Sequence, residues 1–216
     1  MNNQNGVLLY GAGGIAKDII ALNEIEKQIE ILGIIDDNND EKLYYKIPVY
    51  SLKAAELKFK NRFNLIITLG DPIIKKKILR KVMEKNRIEL KNYISSNSII
   101  LSKRIGTGVI IYPYCFLGKD SIISDNTLIC GNVSIGHDAV IKELVTISFN
   151  TSIGGKTKIN KETYIGSGTN IRDEIEIGKN VVIGMGSIVL KSIEDKKIYF
   201  NEKFDLLNEN NLKEIF

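Results

Sequence analysis

Residues 105–188 divide into consecutive hexads: IGTGVI IYPYCF LGKDSI ISDNTL ICGNVS IGHDAV IKELVT ISFNTS IGGKTK INKETY IGSGTN IRDEIE IGKNVV IGMGSI. The first position is leucine once and isoleucine otherwise, and the second is often glycine. A six-residue period fits neither an amphipathic helix nor a hairpin, and it is the signature of a parallel β-helix. Three hexads would close a triangular coil of about 18 residues, so the repeat predicts about five coils. Glycine, asparagine and aspartate would occupy the bends, where positive φ is tolerated.

The first part of the chain follows a different pattern, in which apolar strands alternate with helices. A strand, a glycine turn and a helix fit "GVLLYGAGGIAKDIIALNEIEKQ", and "IEILGIIDD", "FNLIITLGD" and "IELKNYI" predict three further strands. Pro72 suits the first turn of a helix that we expect to reach about Asn86. The alternation predicts a small Rossmann-like α/β domain with a parallel sheet over residues 1–94. The β-helix then covers residues 95–191, and residues 192–216 form a tail that caps its open end.

Composition limits the classes of function. The 216 residues carry a net charge of +4, with basic and acidic residues well mixed, so we expect no nucleic-acid partner. No apolar run is long enough for a membrane span, and "MNNQN" lacks the basic start of a signal peptide. Two cysteines, Cys115 and Cys130, form neither a disulfide framework nor a zinc set. The sequence therefore predicts a cytoplasmic protein with no metal site and no membrane partner.

The chain contains a single histidine, His137, in the hexad "IGHDAV". Residues one coil apart stack in a solenoid, and adding one coil to His137 gives Gly155, which follows another glycine. Imidazole suits general base catalysis near neutral pH, and a bare glycine N–H can stabilise an oxyanion. Asp138 follows directly and can orient the ring. The alternative is that His137 is simply a polar corner residue.

A glycine-turn α/β domain followed by a hexad β-helix with a His-Asp pair resembles the sugar O-acyltransferase family. This family includes sialic acid O-acetyltransferases and bacillosamine-type UDP-amino-sugar N-acetyltransferases. The matching pieces are "YGAGG", "GIIDD", "LGD", "IGHD" and "ISFNTSIGG". The resemblance implies a left-handed β-helix, a homotrimer, acetyl-CoA as acyl donor, and a nucleotide-sugar or sialic-acid-like acceptor. It also assigns His137 and Asp138 as base and orienting acid, and Gly155 as the oxyanion donor.

In the family, coenzyme A lies in the groove between neighbouring β-helices. By the resemblance, its contacts match Ser148, Gly155, Gly166, Ser167, Gly184, Met185 and Gly186. For each glycine the alternative is that the coil itself needs a glycine at a corner.

The N-terminal glycine turn has two interpretations. Gly11, Gly13 and Gly14 lie in "GAGGIA", which satisfies the G-x-G-x-x-A dinucleotide fingerprint, and an acid, Asp36, follows about 20 residues later. That pattern alone indicates NAD, but the domain is half the usual size and no hydride-transfer domain follows. By the resemblance, the same turn holds the nucleotide of a sugar nucleotide, with Asp36 or Asp37 accepting from ribose or base. Gly70 and Asp71 would close the crevice.

The sequence departs from the family at three places. Ile15 stands where the turn usually has histidine, Cys130 and Gly131 stand where relatives often have Asn-Thr, and "IYFNEK" stands near the usual Gly-Val-Pro-Ala-Lys. Acceptor and adenine contacts are therefore expected to differ.

Taken together, these features predict an acetyl-CoA-dependent acetyltransferase. It would transfer the acetyl group directly to the amino group of a nucleotide-linked amino-deoxy-sugar in surface glycan synthesis, with His137 as general base. The first alternative is O-acetylation of sialic acid or a related nonulosonic acid, and the second is a non-catalytic sugar-nucleotide-binding β-helix. A β-helix carbonic anhydrase would need three histidines at one zinc, which one histidine per chain provides only on a three-fold axis.

Overall fold

The structure is a computed structural model, which describes residues 6–38, 42–60, 63–84 and 88–200. Two domains follow one another along the chain. The first is built on one mostly parallel sheet and the second on stacked coils of very short strands.

The first domain contains a six-stranded sheet in the order β3-β4-β2-β1-β5-β6. The apolar strand β1 is buried at its centre, and β2 and β5 pair with it in parallel on either side, as expected for right-handed crossovers through helices. The elements are β1 Gly6–Tyr10, α1 Gly14–Glu26, β2 Glu30–Ile35, β3 Leu43–Tyr44, β4 Ile47–Tyr50, α2 Leu52–Lys58, β5 Phe63–Ile67, α3 Pro72–Met83 and β6 Ile88–Leu90.

Three features of this domain differ from the sequence-based expectation. The antiparallel pair β3–β4 and the helix α2 were not predicted. Helix α3 begins at Pro72 as expected but ends at Met83, and the expected end near Asn86 lies outside the described residues. The stretch "IELKNYI" is not one strand, because its first part pairs with β5 in the α/β sheet and its last two residues pair with a strand of the β-helix.

The second domain is a left-handed parallel β-helix, as the hexads predict. Each strand pairs with the strand one coil later, and the partners Ile111↔Ile129 and Ile129↔Ile147 show the 18-residue register. The strands are β7 Tyr93–Ile94, β8 Ile99–Ile100, β9 Arg104–Ile105, β10 Ile110–Ile111, β11 Phe116–Leu117, β12 Ile122–Ile123, β13 Leu128–Ile129, β14 Ser134–Ile135, β15 Val140–Ile141, β16 Thr146–Ile147, β17 Ser152–Ile153, β18 Lys158–Ile159, β19 Tyr164–Ile165, β20 Asn170–Ile171, β21 Glu176–Ile177, β22 Val182–Ile183, β23 Ile188–Val189 and β24 Ile198–Tyr199.

The β-helix has three faces, which we call the docking face, the open face and the third face. The docking face is formed by β7, β10, β13, β16, β19, β22 and β24; the open face by β8, β11, β14, β17, β20 and β23; and the third face by β9, β12, β15, β18 and β21. The repeated aliphatic residues, such as Ile111, Ile129 and Ile147, point inward and are fully buried in one continuous core. Burial of this column is the main stabilising term of the coil.

The structure differs from the expectation that the recurring glycines occupy bends with positive φ. Positive φ occurs at the fourth position of the hexad, for example at Asn132, Asp138 and Asn150, and not at the second position where glycine recurs. The second-position glycines are required by close stacking. A Cβ atom on Gly136, for instance, would lie 2.5 Å from the backbone nitrogen of Gly155 in the next coil.

The coil also continues beyond Lys191, where the hexads end in the sequence. Ile193 bridges to Ile177, and β24 pairs with β22. The part of the predicted capping tail after Phe200 lies outside the described residues.

The first domain packs on the docking face. The outward residues there, Tyr93, Ile110, Leu128 and Thr146, are at most 2% exposed, whereas Ile99 on the open face is 60% exposed. Apolar side chains of β1, β5 and α1 share one buried cluster with residues of the docking face. The two domains therefore form one continuous apolar interface.

Candidate active site

His137 lies at a corner of the β-helix between the open and third faces. We call residues 136–138 and 154–156 the His137 corner. His137 Nδ1 lies 2.8 Å from Asp138 Oδ2, so the carboxylate holds this nitrogen, and Nε2 remains for a substrate. Asp138 has φ 57°, and this left-handed conformation brings two adjacent side chains together. Both side chains are more than half exposed, so the pair is accessible from solvent.

Gly155 lies directly under the imidazole, one coil further along. A Cβ atom on Gly155 would lie 2.8 Å from His137 Nε2, which is too close for a ring in its present position. The next amide, that of Lys156, donates to the His137 carbonyl at 2.8 Å and fixes the spacing of the two coils. The stacked glycine at this position thus leaves the imidazole room to lie flat along the corner.

The amide of Gly155 has no acceptor among the described residues, whereas its neighbours Gly154 and Lys156 donate to carbonyls. The amides of His137 and Asp173, one coil before and one coil after Gly155, also have no acceptor among the described residues. An amide without an acceptor is therefore a general feature of this corner. What distinguishes Gly155 is that the imidazole of His137 lies where its side chain would be. A free N–H next to a base is the pair of groups that acyl transfer requires.

The residues predicted to contact coenzyme A separate into two groups. Gly155 lies at the His137 corner, and the others lie at the opposite edge of the open face, at a corner that we call the Ser148 corner (residues 148–150, 166–168 and 184–186). Ser148 and Gly154 are one hexad apart, so a full side of the coil, which contains β17, separates the two corners. Within one chain the predicted donor contacts therefore do not converge on His137.

Stacking accounts for part of the glycine pattern at the Ser148 corner. A Cβ atom on Gly166 would lie 2.5 Å from the backbone nitrogen of Met185, and one on Gly184 would lie 3.1 Å from Phe200 Cβ. Gly186 has φ +70°. The hydroxyl groups of Ser148 and Ser167 lie 2.8 Å apart and pair with each other.

The N-terminal glycine turn is open to solvent at the start of α1. No heavy atom lies within 4 Å of a Cβ built on Gly13 or Gly14. Helix α1 has no side-chain cap and no acid in its first turn, whereas α2 and α3 are capped by Ser51 and Asp71. An uncapped helix N-terminus with bare glycines favours an anionic group such as a phosphate.

Asp36 supports the glycine turn from the adjacent strand end. One carboxylate oxygen accepts from the Ala12 amide at 2.8 Å, and the other accepts from the Asn38 amide at 2.9 Å. Gly11, with φ +105°, begins the turn, and its amide donates to the Ile35 carbonyl. Asp36 thus holds the backbone of the turn, and any ribose contact would share these oxygens.

Asp37 is already bound within the protein. One oxygen accepts from Tyr10 Oη at 3.1 Å and Lys81 Nζ at 2.6 Å, and the other accepts from the Leu52 amide. Partial burial opposes the charge, but the bonds from Lys81, Leu52 and Tyr10 outweigh it and lower the pKa of Asp37. Burial and this carboxylate together raise the pKa of Tyr10. Asp37 therefore has less capacity than Asp36 for a ligand.

Gly70 and Asp71 lie at the carboxyl end of β5, beside the glycine turn. The Gly70 carbonyl accepts from Thr146 Oγ1 of the docking face at 2.7 Å. Asp71 Oδ1 accepts from the first amides of α3 and acts as its N-cap. Ile15 packs with its Cδ1 3.3 Å from where a Gly70 Cβ would be, so an apolar contact replaces the polar group expected at this position.

Tyr44 contacts the glycine turn, a contact that the sequence did not indicate. Its hydroxyl donates to the Gly13 carbonyl at 3.3 Å, so the β3–β4 hairpin lies against the glycine turn. The hairpin turns through Tyr45 and Lys46, which have φ 49° and 67°. Such turns normally carry Asn-Gly or Asp-Gly, and the absence of that signal is why the hairpin was missed.

The described parts of the chain contain neither a metal-binding cluster nor a membrane-spanning helix. No group of three or more His, Cys, Asp or Glu side chains there is arranged to hold a metal ion. None of the helices there is long and apolar enough to cross a bilayer.

Comparison with known proteins bears on the fold of both domains. Residues 6–82 match the family model described as the PglD N-terminal domain. With the stacked coils that follow, the chain has the same fold as several solved sugar acetyltransferases, so the fold expected from the resemblance is confirmed. No curated protein sequence matches the chain.

Three solved structures are similar over nearly the whole chain. A histidine-to-asparagine variant of perosamine N-acetyltransferase from Caulobacter crescentus, in complex with CoA and GDP-perosamine, is 20% identical with TM-score 0.84, over 91% of this chain and 93% of that one. The acetyltransferase domain of PglB from Neisseria gonorrhoeae FA1090, in complex with acetyl coenzyme A, is 21% identical with TM-score 0.81, over 90% and 95%. WeeI from Acinetobacter baumannii AYE is 23% identical with TM-score 0.80, over 90% and 96%.

Proposed function

We propose that this protein is an acetyl-CoA-dependent N-acetyltransferase acting on the amino group of a nucleotide-linked amino-deoxy-sugar, in the synthesis of a surface glycan. The observation that carries the proposal is the His137 corner, where an imidazole held by Asp138 lies against Gly155, whose amide has no acceptor among the described residues. The similar proteins solved with CoA and GDP-perosamine, or with acetyl-CoA, support the donor and acceptor classes. A cytoplasmic location is part of the proposal, since the buried cysteines are free thiols.

The reaction needs one proton transfer and one stabilised oxyanion. The neutral amine attacks the thioester carbonyl while His137 Nε2 takes a proton from the nitrogen. The carbonyl oxygen becomes negative in the tetrahedral intermediate, and the Gly155 amide donates to it. The carbon–sulfur bond then breaks, and coenzyme A leaves as the thiol with the proton that His137 returns. Asp138 keeps its hold on Nδ1 and stabilises the imidazolium in between.

The separation of the two corners supports a site shared between subunits. Within a chain, Ser148 and the other predicted donor contacts, apart from Gly155, lie one full side away from His137. A homotrimer in which the Ser148 corner of one subunit faces the His137 corner of the next would bring the groups together. We therefore place acetyl-CoA in the groove between neighbouring β-helices.

The acceptor domain lies on the same side as the Ser148 corner. Asp18 of α1 contacts Tyr112 and Glu26 contacts Tyr93, so α1 runs against the direction of the coils. Its N-terminus lies about 6 Å beyond Asp18, roughly one coil further towards Ser148. The glycine turn, with Asp36 behind it, would hold the diphosphate and ribose of the acceptor there. The sugar would then extend into the intersubunit groove, towards the neighbouring subunit's His137 corner.

A panel assay tests the proposal directly. Purified protein with acetyl-CoA is incubated with UDP-, GDP- and dTDP-linked amino-sugars and with free and CMP-linked sialic acid, and thiol release is followed. We expect turnover on one of the nucleotide amino-sugars and an N-acetyl product by mass spectrometry. Turnover on sialic acid alone would establish the O-acetylation alternative. No turnover on any acceptor, with nucleotide-sugar binding retained, would establish a binding protein.

A further inference from the structure

The Ser148 corner carries an exposed aromatic ring that the predicted donor and acceptor contacts do not use. Phe149 is 42% exposed, and its ring packs edge-on against Tyr112 with centroids 5.8 Å apart. Beneath it lies Gly131, whose missing Cβ would be 3.5 Å from the ring. The ring is therefore supported on one side by the coil and open to the groove on the other.

The position of Phe149 lies between the two proposed substrate sites. It stacks between Gly131 and Ser167, which the sequence associates with the acceptor and the donor respectively. Three residues earlier, Thr146 bonds to the Gly70 carbonyl at the edge of the acceptor domain. A sugar that extends from the glycine turn into the groove would pass this ring.

The polar side chains around the ring already have partners within the chain. Ser148 pairs with Ser167, and the Asn132 amide donates to Asn150 Oδ1 at 2.8 Å. Tyr112 Oη donates to Asp18 at 3.3 Å. Burial raises the pKa of the Cys130 thiol to about 12, so no thiolate forms there at neutral pH. Apart from the Ser148–Ser167 pair, which is predicted to contact the donor, the surface that this corner offers to the acceptor is mainly the phenyl ring.

Resting on the proposed function, we infer that Phe149 is a specificity-determining residue that contacts an apolar face of the acceptor sugar and favours a methyl over a hydroxymethyl group at C6. A methyl group gains contact area on the ring. A hydroxymethyl group would lose water and find only side chains that are already hydrogen-bonded, which costs free energy. The residue does not touch the reacting amine, so it sets selectivity and leaves the chemistry to His137.

The test uses two acceptors that differ only at C6. The probes are GDP-perosamine, whose C6 is a methyl group, and its C6-hydroxylated counterpart, with the UDP- and dTDP-linked pairs run in parallel. We expect wild type to favour the methyl sugar by about 10-fold or more in kcat/KM. Phe149→Ala should lower kcat/KM for the methyl sugar and bring the ratio close to one, with the KM for acetyl-CoA unchanged. Phe149→Leu, which keeps an apolar side chain, should retain most of the preference.

Phe116→Ala is the matched control, because Phe116 is 41% exposed on the open face of the same β-helix and lies outside the Ser148 corner. The ratio of kcat/KM for the methyl sugar to kcat/KM for the hydroxymethyl sugar should be the same in Phe116→Ala as in wild type. The inference is overturned if wild type acetylates both sugars equally well, or if Phe149→Ala keeps the wild-type ratio; the proposed function would stand in both cases. Failure of wild type to acetylate either sugar on any nucleotide would instead remove the proposed function and this inference with it.

Discussion

The imidazole of His137 occupies the space that a side chain at Gly155 would fill, since a Cβ there would lie 2.8 Å from Nε2. The base and the proposed oxyanion donor are therefore one structural unit. The glycine makes room for the ring, and its amide has no acceptor among the described residues.

Gly155→Ala should separate activity from stability. The φ of Gly155 is not in the left-handed region, so the backbone accepts alanine, but the new methyl group must displace the imidazole. We expect kcat to fall by at least about 10-fold, because small misplacements of a catalytic group are costly, with the melting temperature nearly unchanged. The measurement is steady-state kinetics beside thermal unfolding.

The neighbouring variant Gly154→Ala provides the control. Its Cβ would lie 2.3 Å from the Asp173 backbone nitrogen, which cannot move without opening the coils. Overpacking of this kind should cost about 1–3 kcal/mol of unfolding free energy. Equal effects of the two variants on stability would contradict the separate roles given to these glycines.

Asp138→Asn should reduce activity less than loss of the histidine itself. Asparagine tolerates the left-handed φ of 57° at this position, so the turn is kept while the negative charge is lost. We expect kcat to fall by about 10-fold or more, because the carboxylate orients the imidazole and stabilises the imidazolium. Asp138→Ala should also lower stability, because alanine in this conformation costs about 1–2 kcal/mol. Wild-type kcat in the asparagine variant would show that the carboxylate has no part in catalysis.

Lys75 predicts an unusual dependence of stability on pH. Its side chain is buried at the domain interface, where its ammonium donates to the Asn126 carbonyl, and burial lowers its pKa from 10.5 to about 8. Cys130, which faces it, has a pKa of about 12 and is neutral in this range. Between about pH 8 and pH 10.5 Lys75 binds more protons in the unfolded chain than in the folded one, so the contribution of Lys75 to stability rises with pH.

From pH 7 to 9.5 the Lys75 contribution to the unfolding free energy should grow by about 2 kcal/mol. Lys75→Met should remove this slope and raise stability at pH 7. Lys77→Met, on the same helix, serves as the control for loss of a charge. Urea denaturation at several pH values measures the effect, and parallel curves for wild type and Lys75→Met would contradict the burial argument.

Mixed trimers test whether the site is shared between subunits. Gly13→Val should block the acceptor turn, His137→Ala should remove the base, and each homotrimer should be inactive. In a randomly assembled equal mixture, a site built from the acceptor domain of one subunit and the His137 corner of the next is intact about one time in four. Activity near a quarter of wild type is expected after co-refolding. No activity, despite mixed trimers by mass spectrometry, would place both groups in the same chain.

Much of the fold could be predicted because it depends on repeated local chemistry. The isoleucine column and the 18-residue register follow directly from the hexads, and the glycine turn follows from "GAGGIA". The hairpin at Tyr44 could not be predicted, because tertiary packing holds Tyr45 and Lys46 at positive φ without the usual turn residues. The role of Asp37 could not be predicted either, because Lys81 and Tyr10 reach it only in the folded domain.

In the candidate site, too, contacts set by the repeat could be predicted, whereas contacts between distant segments could not. The stacking of His137 on Gly155 was predictable from the coil length alone. The exposure of Phe149 and the burial of Lys75 depend on where the first domain docks, and no local pattern in the sequence encodes that contact.

The most direct test of the account is the kinetics of His137→Ala on the acceptor that the panel identifies. The variant should remain a trimer and bind acetyl-CoA, while kcat falls by roughly 10²–10⁴-fold, the usual contribution of a general base. The chain has no other histidine that could replace His137 as the base. If His137→Ala keeps more than about a third of the wild-type kcat/KM, a loss below ~1 kcal/mol, His137 is only a corner residue and the mechanism proposed here is wrong.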